Sequence, residues 1–138
     1  MATTFKSITA NLMVKDVDKT VSYYKEILGF KLEMSVPRDD GNLQWAMITR
    51  DTVELMLHEE GNFLEEVPEL RGSTMGGSLT LFIEIEGIDD LYNAVNQHKD
   101  IEFIKEPHTT FYGMKEFTLR DLNGYILTFA EPQEQDKA

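Results

Sequence analysis

The chain has 138 residues, 41% of them hydrophobic, which suits one domain of ordinary size with a real core. Cysteine is absent, which removes disulfides, thiolate metal sites and cysteine nucleophiles together. With 25 acidic and 13 basic residues the net charge is −12, so phosphate backbones and anionic lipid are repelled and a cationic ligand is attracted.

The opening MATTFKS lacks a signal-peptide core, and no apolar run approaches the roughly 20 residues of a membrane span. A cytoplasmic protein that binds neither nucleic acid nor membrane is expected. Ile8 to Val14 alternates with period two, with Ile8, Ala10, Leu12 and Val14 on one face and Thr9, Asn11 and Met13 on the other. Asp16 then caps a helix of about 11 residues whose apolar stripe is Val17, Val21, Tyr24 and Leu28, and Gly29 ends it. Phe30 to Val36 reads as a strand and Arg38 to Gly41 as a turn. Leu43 to Ile48 and Val53 to His58 flank Thr49-Arg50-Asp51 as a hairpin.

Residues 59–76 read as a linker in which Phe63 and Leu64 either lay a short flap over something or pin the segment to the core. Beyond it the plan repeats. SLTLFIEI from Ser78 is a strand with Leu79, Leu81, Ile83 and Ile85 on one face, and Gly87 to His98 carries a helix with Ile88, Leu91 and Val95 inward. Ile101 to Ile104 is a short strand ending before Pro107, and Lys115 to Pro132 is a hairpin turned at Asn123-Gly124. The chain is therefore one βαβββ unit used twice, in residues 5–58 and 77–132, with a short tail from Gln133 to Ala138.

The Asp-capped helix with Tyr23-Tyr24, Leu28-Gly29-Phe30, and Tyr112-Gly113 leading to Arg120-Asp121-Leu122-Asn123-Gly124-Tyr125 carry a resemblance. Across about residues 5–132 the sequence resembles the vicinal oxygen chelate superfamily, the glyoxalase, bleomycin-resistance and dioxygenase group. The resemblance implies a single α+β domain: two βαβββ modules forming curved half-barrel sheets, with helices on the convex faces and a cavity on the concave ones. It also implies metal-ligand positions, which fall on Thr9, Leu55, Ser78 and Thr128. These offer hydroxyls and a hydrocarbon, so neither metal nor cofactor is expected. Glu54 would turn inward only if its strand slipped by one residue, exposing Leu55 and Leu57.

No catalytic set emerges. His58 at a strand end and His108 in a loop read as solvent-exposed, and His98 as a helix-terminal dipole partner. Ser78 and Thr128 lack an evident base, and Gly76-Gly77 lacks the Lys and helix of a phosphate loop. The cavity face instead collects Asn11, Met13, Trp45, Met47, Leu55 and Leu57 from the first module. The second adds Thr80, Phe82, Ile126 and Thr128, with Phe111 and Tyr112 at the rim. This composition suits burial and stacking of an organic ligand.

The leading expectation is a metal-independent binding protein similar to the bleomycin-resistance branch, sequestering an aromatic or cationic molecule such as an antibiotic. The alternatives are a glyoxalase-type metal-dependent lyase, isomerase or dioxygenase, and a scaffold with a filled cavity. A homodimer is expected because the fold commonly pairs modules and its sheet edges need cover.

Overall fold

Asp16 and Gly29 set the limits of the first helix, one through its carboxylate and the other through its lack of a Cβ. In the computed structural model, which describes residues 2–134, Asp16 Oδ1 accepts a hydrogen bond from the Lys19 amide at 2.9 Å. Gly29 adopts φ 70° and its amide donates back to the Lys25 carbonyl at 3.2 Å. Between them lies α1 (Val17–Leu28), preceded by β1 (Ala10–Val14). Arg50 closes the far end of α1 by donating from Nη1 to the Leu28 carbonyl at 2.7 Å.

The strands β2 (Lys31–Pro37), β3 (Leu43–Arg50) and β4 (Val53–Glu59) complete a four-stranded sheet in the order β1-β4-β3-β2, with β1 and β4 parallel and the other pairs antiparallel. One face holds Leu12, Val14, Ala46, Ile48, Leu55 and Leu57, all buried, and α1 packs over it with Val17, Thr20, Tyr24 and Leu28. Burial of each large apolar side chain there contributes about 1.5–3 kcal/mol. Ile8 does not join that row: it precedes the strand and is 97% exposed.

A second unit begins at Gly72. It contains β5 (Thr80–Glu84), α2 of the preceding unit having been left behind at Glu60–Glu66, then α3 (Ile88–Asn96), β6 (Glu102–Thr109), β7 (Met114–Arg120) and β8 (Ile126–Pro132). The sheet order is β5-β8-β7-β6, the same plan as in the first unit. Its core centres on Leu119, Leu127 and the rings of Tyr92, Phe103, Phe117 and Phe129, whose centroids lie 5.2–6.2 Å apart in tilted and edge-to-face pairs.

The reversal between β7 and β8 is held by Asp121, whose Oδ1 accepts from the amides of Asn123 at 2.8 Å and Tyr125 at 2.9 Å. Gly76 presses against it: a Cβ there would lie 2.3 Å from the Gly124 carbonyl oxygen.

Two sequence expectations change. Residues 59–76 are not a plain linker, since they contain α2 and a 3-10 turn at Pro68–Leu70, with Phe63 buried. The strand expected to stop at Ile104 runs on as β6 through Pro107 and His108. It can do so because β6 is an edge strand, and the register shifts around Lys105 and His108 absorb the missing proline donor. The tail expected beyond Gln133 lies outside the described residues past Glu134.

Candidate functional site

Side chains on paired strands that sit opposite one another share a face, so the register of the first sheet defines what lies opposite the α1 side. One cross-strand row is Asn11, Met56, Met47 and Met34. The next is Met13, His58, Trp45 and Val36. A third row places Glu54 beside Thr49 and Lys31. The face thus gathers four thioethers, one indole and one imidazole among its polar and aliphatic neighbours, with Met34 more than half exposed and Met13, Met47, Met56 and Trp45 partly buried.

At one end of this face α2 settles on His58. Glu59 caps the helix, its carboxylate accepting from the Gly61 and Asn62 amides at 3.0 and 2.8 Å. The His58 ring stacks on Phe63 with centroids 4.5 Å apart and 16° between planes. Its Nε2 lies 2.7 Å from Asn62 Oδ1 and 3.8 Å from a Glu66 carboxylate oxygen. The residue is 5% exposed and its Nδ1 is buried with no hydrogen-bond partner. His58, expected in solvent, is therefore enclosed, because the residues following it fold back as α2.

Leu55 and Leu57 require the larger correction. Expected beside Trp45 and Met47, they lie on the opposite face, opposite Ile48 and Ala46, 4% and 0% exposed. The more apolar side of Val53-Glu54-Leu55-Met56-Leu57-His58 goes under the helix. Glu54, Met56 and His58 take the open face with no slip of register. Met56 and His58 were missed for this reason, and burying the leucine pair under α1 would have revealed them; Met34 joins the face through its pairing with Met47.

In the second sheet the face opposite the core carries the rows Thr80, Ile126, Arg120, Glu102 and Phe82, Thr128, Thr118, Lys105. Thr118 and Thr128 share a hydroxyl hydrogen bond of 2.9 Å, and Arg120 Nε pairs with Glu102 at 3.2 Å. Phe111 and Tyr112 stand at the tip of the β6–β7 turn, the first fully exposed. Tyr112 donates its hydroxyl to Glu116 at 2.6 Å, which holds the phenol proton above the ordinary tyrosine range. The expected residues thus separate into Asn11, Met13, Trp45 and Met47 on one face, and Thr80, Phe82, Ile126 and Thr128 on the other unit's.

Each unit also has a cleft. In the first, a volume of about 620 Å³ is bordered by Arg38, Asp39, Asp40, Glu59, Glu65 and the same Asn62 that bonds His58. In the second, about 680 Å³ opens between the Thr74–Leu79 segment and Thr80, Arg120 and Ile126.

A family model described as the glyoxalase/bleomycin resistance protein/dioxygenase superfamily matches residues 6–129. The chain belongs to this superfamily. Similar solved folds include TioX from Micromonospora sp. ML1, at 16% identity and TM-score 0.73, covering 93% of this chain and 99% of that one. A superfamily protein from Nocardioides matches at 20% identity and TM-score 0.76, covering 99% and 89%. A glyoxalase-related enzyme from Clostridium phytofermentans matches at 20% identity and TM-score 0.68, covering 94% and 97%. A search of curated protein sequences gives no match.

Superfamily enzymes place a divalent ion on the sheets, and the residues here do not fit one. Thr9 and Thr128 are hydroxyls, and Leu55 is buried under α1. Ser78 stands in the loop before β5 at φ 70°. Glu54 adds a single carboxylate, too few donors to offset dehydration of a divalent ion. Among the described residues no three His, Asp or Glu side chains converge as a metal site. No helix among them is long and apolar enough to cross a membrane.

Proposed function

We propose that this superfamily member is a metal-independent small-molecule-binding protein that sequesters an aromatic or cationic organic ligand, as a bleomycin-resistance-like protein would sequester an antibiotic. The observation that carries this reading is the open face of the first sheet, which Met13, Met34, Met47 and Met56 share with Trp45. Thioether side chains are deformable and polarizable and adapt to planar ligands, while an indole supplies a rigid stacking plane. Asn11 and the Glu54 carboxylate on the same face would orient a polar or cationic substituent.

The charge balance favours the same ligand class. A net charge of −12 and the Asp39, Asp40, Glu59 and Glu65 carboxylates around the neighbouring cleft attract cations. We also read the protein as a homodimer, since β2 is an edge strand exposed along its whole length and such edges call for cover. Light scattering at micromolar concentration tests that point, and a monomer would contradict it.

The binding reading is tested by a thermal-shift screen of planar aromatic cations against planar neutral compounds. A ligand that binds the folded state raises the melting temperature with concentration. Cations are expected to dominate the hits; a complete absence of concentration-dependent shifts would refute the reading.

A further inference from the structure

We propose that the open face of the first sheet also takes up a soft monovalent metal ion, copper(I) or silver(I), on His58 Nδ1 and the thioethers of Met13, Met47 and Met56. The observation that directs attention there is the bare nitrogen. Asn62 Oδ1 is an acceptor, so the 2.7 Å contact is satisfied by the tautomer that carries its proton on Nε2 and leaves the lone pair on Nδ1. That Nδ1 is buried and has no hydrogen-bond partner, in a residue only 5% exposed. A buried polar atom without a partner calls for an explanation, and a ligating imidazole is commonly held in this manner, its other N–H given to a carbonyl.

The neighbours are soft donors. His58 pairs across the sheet with Met13 on one side and Trp45 on the other, and Met56, two residues earlier on the same face, pairs with Met47. Opposed residues on one face have Cβ atoms about 4.5–5.5 Å apart, and a methionine has three rotatable bonds, so the sulfurs can converge beside Nδ1. Thioether donors select copper(I) over hard or borderline divalent ions. The indole of Trp45 offers a π face to a cation in the same row. The acidic cleft that Asn62 borders gives a positive ion its approach.

Binding is ligand exchange alone. Neutral imidazole and thioethers replace water on the ion, which keeps its single positive charge, and no electron or proton is transferred. The site uses none of Thr9, Ser78 or Thr128, the positions on which the superfamily's divalent ligands would fall.

The test is silver nitrate added to the full chain carrying ¹³C-methyl methionine, in chloride-free buffer. One equivalent is expected to shift the methyl signals of Met13, Met47 and Met56, leave Met75 and Met114 in place, and quench Trp45 emission. The M47L/M56L double variant keeps apolar volume but loses two sulfurs, and its silver affinity should fall at least tenfold. Binding that spares these methyls, shifts Met75 and Met114 equally, persists in M47L/M56L or never reaches one equivalent would overturn the proposal. The organic-ligand reading is read separately. Failure of planar aromatic cations to bind the unaltered chain while silver binds would remove only that reading.

Discussion

His58 Nε2 lies 2.7 Å from Asn62 Oδ1 while the same ring stacks on Phe63 at 4.5 Å, so a strand-end histidine and a seven-residue helix hold each other in place. A helix this short cannot stand by its own propensity. Phe63, 8% exposed, is its anchor. Phe63→Ala should lower unfolding free energy by about 3 kcal/mol in urea titrations and uncover His58. A loss below about 0.5 kcal/mol, the size of an ordinary surface substitution, would mean that α2 is not seated as described.

The two faces of β4 predict opposite responses to truncation and exchange. Leu57→Ala removes a fully buried side chain under α1 and should cost about 2–5 kcal/mol. Met47→Leu on the open face conserves volume and should cost less than about 1.5 kcal/mol. Equal losses in chemical denaturation would contradict the assignment of faces.

Gly76 and Gly41 both have positive φ, 81° and 87°, yet only Gly76 is crowded. A Cβ at Gly41 meets nothing within 4 Å, so Gly41→Ala carries the left-handed backbone penalty alone, about 1–2 kcal/mol. At Gly76 the new atom would lie 2.3 Å from the Gly124 carbonyl oxygen, and backbone must move. Gly76→Ala is expected to exceed Gly41→Ala in lost stability, measured on both variants under the same denaturant series.

Tyr112 donates to the Glu116 carboxylate, and this bond, ahead of burial and the carboxylate charge, raises the phenol above its ordinary value of 10.0. A group whose folded value is raised lends stability that is complete below the unfolded value and is lost as pH climbs through the folded one. Stability should therefore fall in the alkaline range above pH 10. Glu116→Gln removes the charged acceptor. Phenolate absorbance should then show Tyr112 titrating at lower pH than in the unaltered chain; an unchanged titration would refute the assignment.

The paired βαβββ plan was legible in the sequence because its punctuation is local chemistry: Asp16 as a cap, Gly29 as a left-handed stop, Asn123-Gly124 in a turn. The strand faces of β1 and β3 followed from alternation for the same reason. What failed was long-range. Within Val53–His58 the two rows differ in polarity but both hold apolar side chains, and the assignment of Leu55 and Leu57 to a cavity ignored that the more apolar row is the one a helix covers. The Glu59-capped α2 was hidden because its seven residues are mostly polar and its packing partner, His58, belongs to the preceding strand. Of the open face, alternation placed Asn11, Met13, Trp45 and Met47 together, while Met34, Met56 and His58 joined them only through the register.

The most direct test of the central claim, an organic ligand held on the methionine and tryptophan face, is a fluorescence titration of Trp45, the sole tryptophan, with the strongest thermal-shift hit. The account predicts a saturable change in emission, and a loss of about 2 kcal/mol of binding, roughly thirtyfold in Kd, on Trp45→Ala. Emission unchanged by a ligand that stabilises the fold, together with undiminished affinity in folded Trp45→Ala protein, would contradict it.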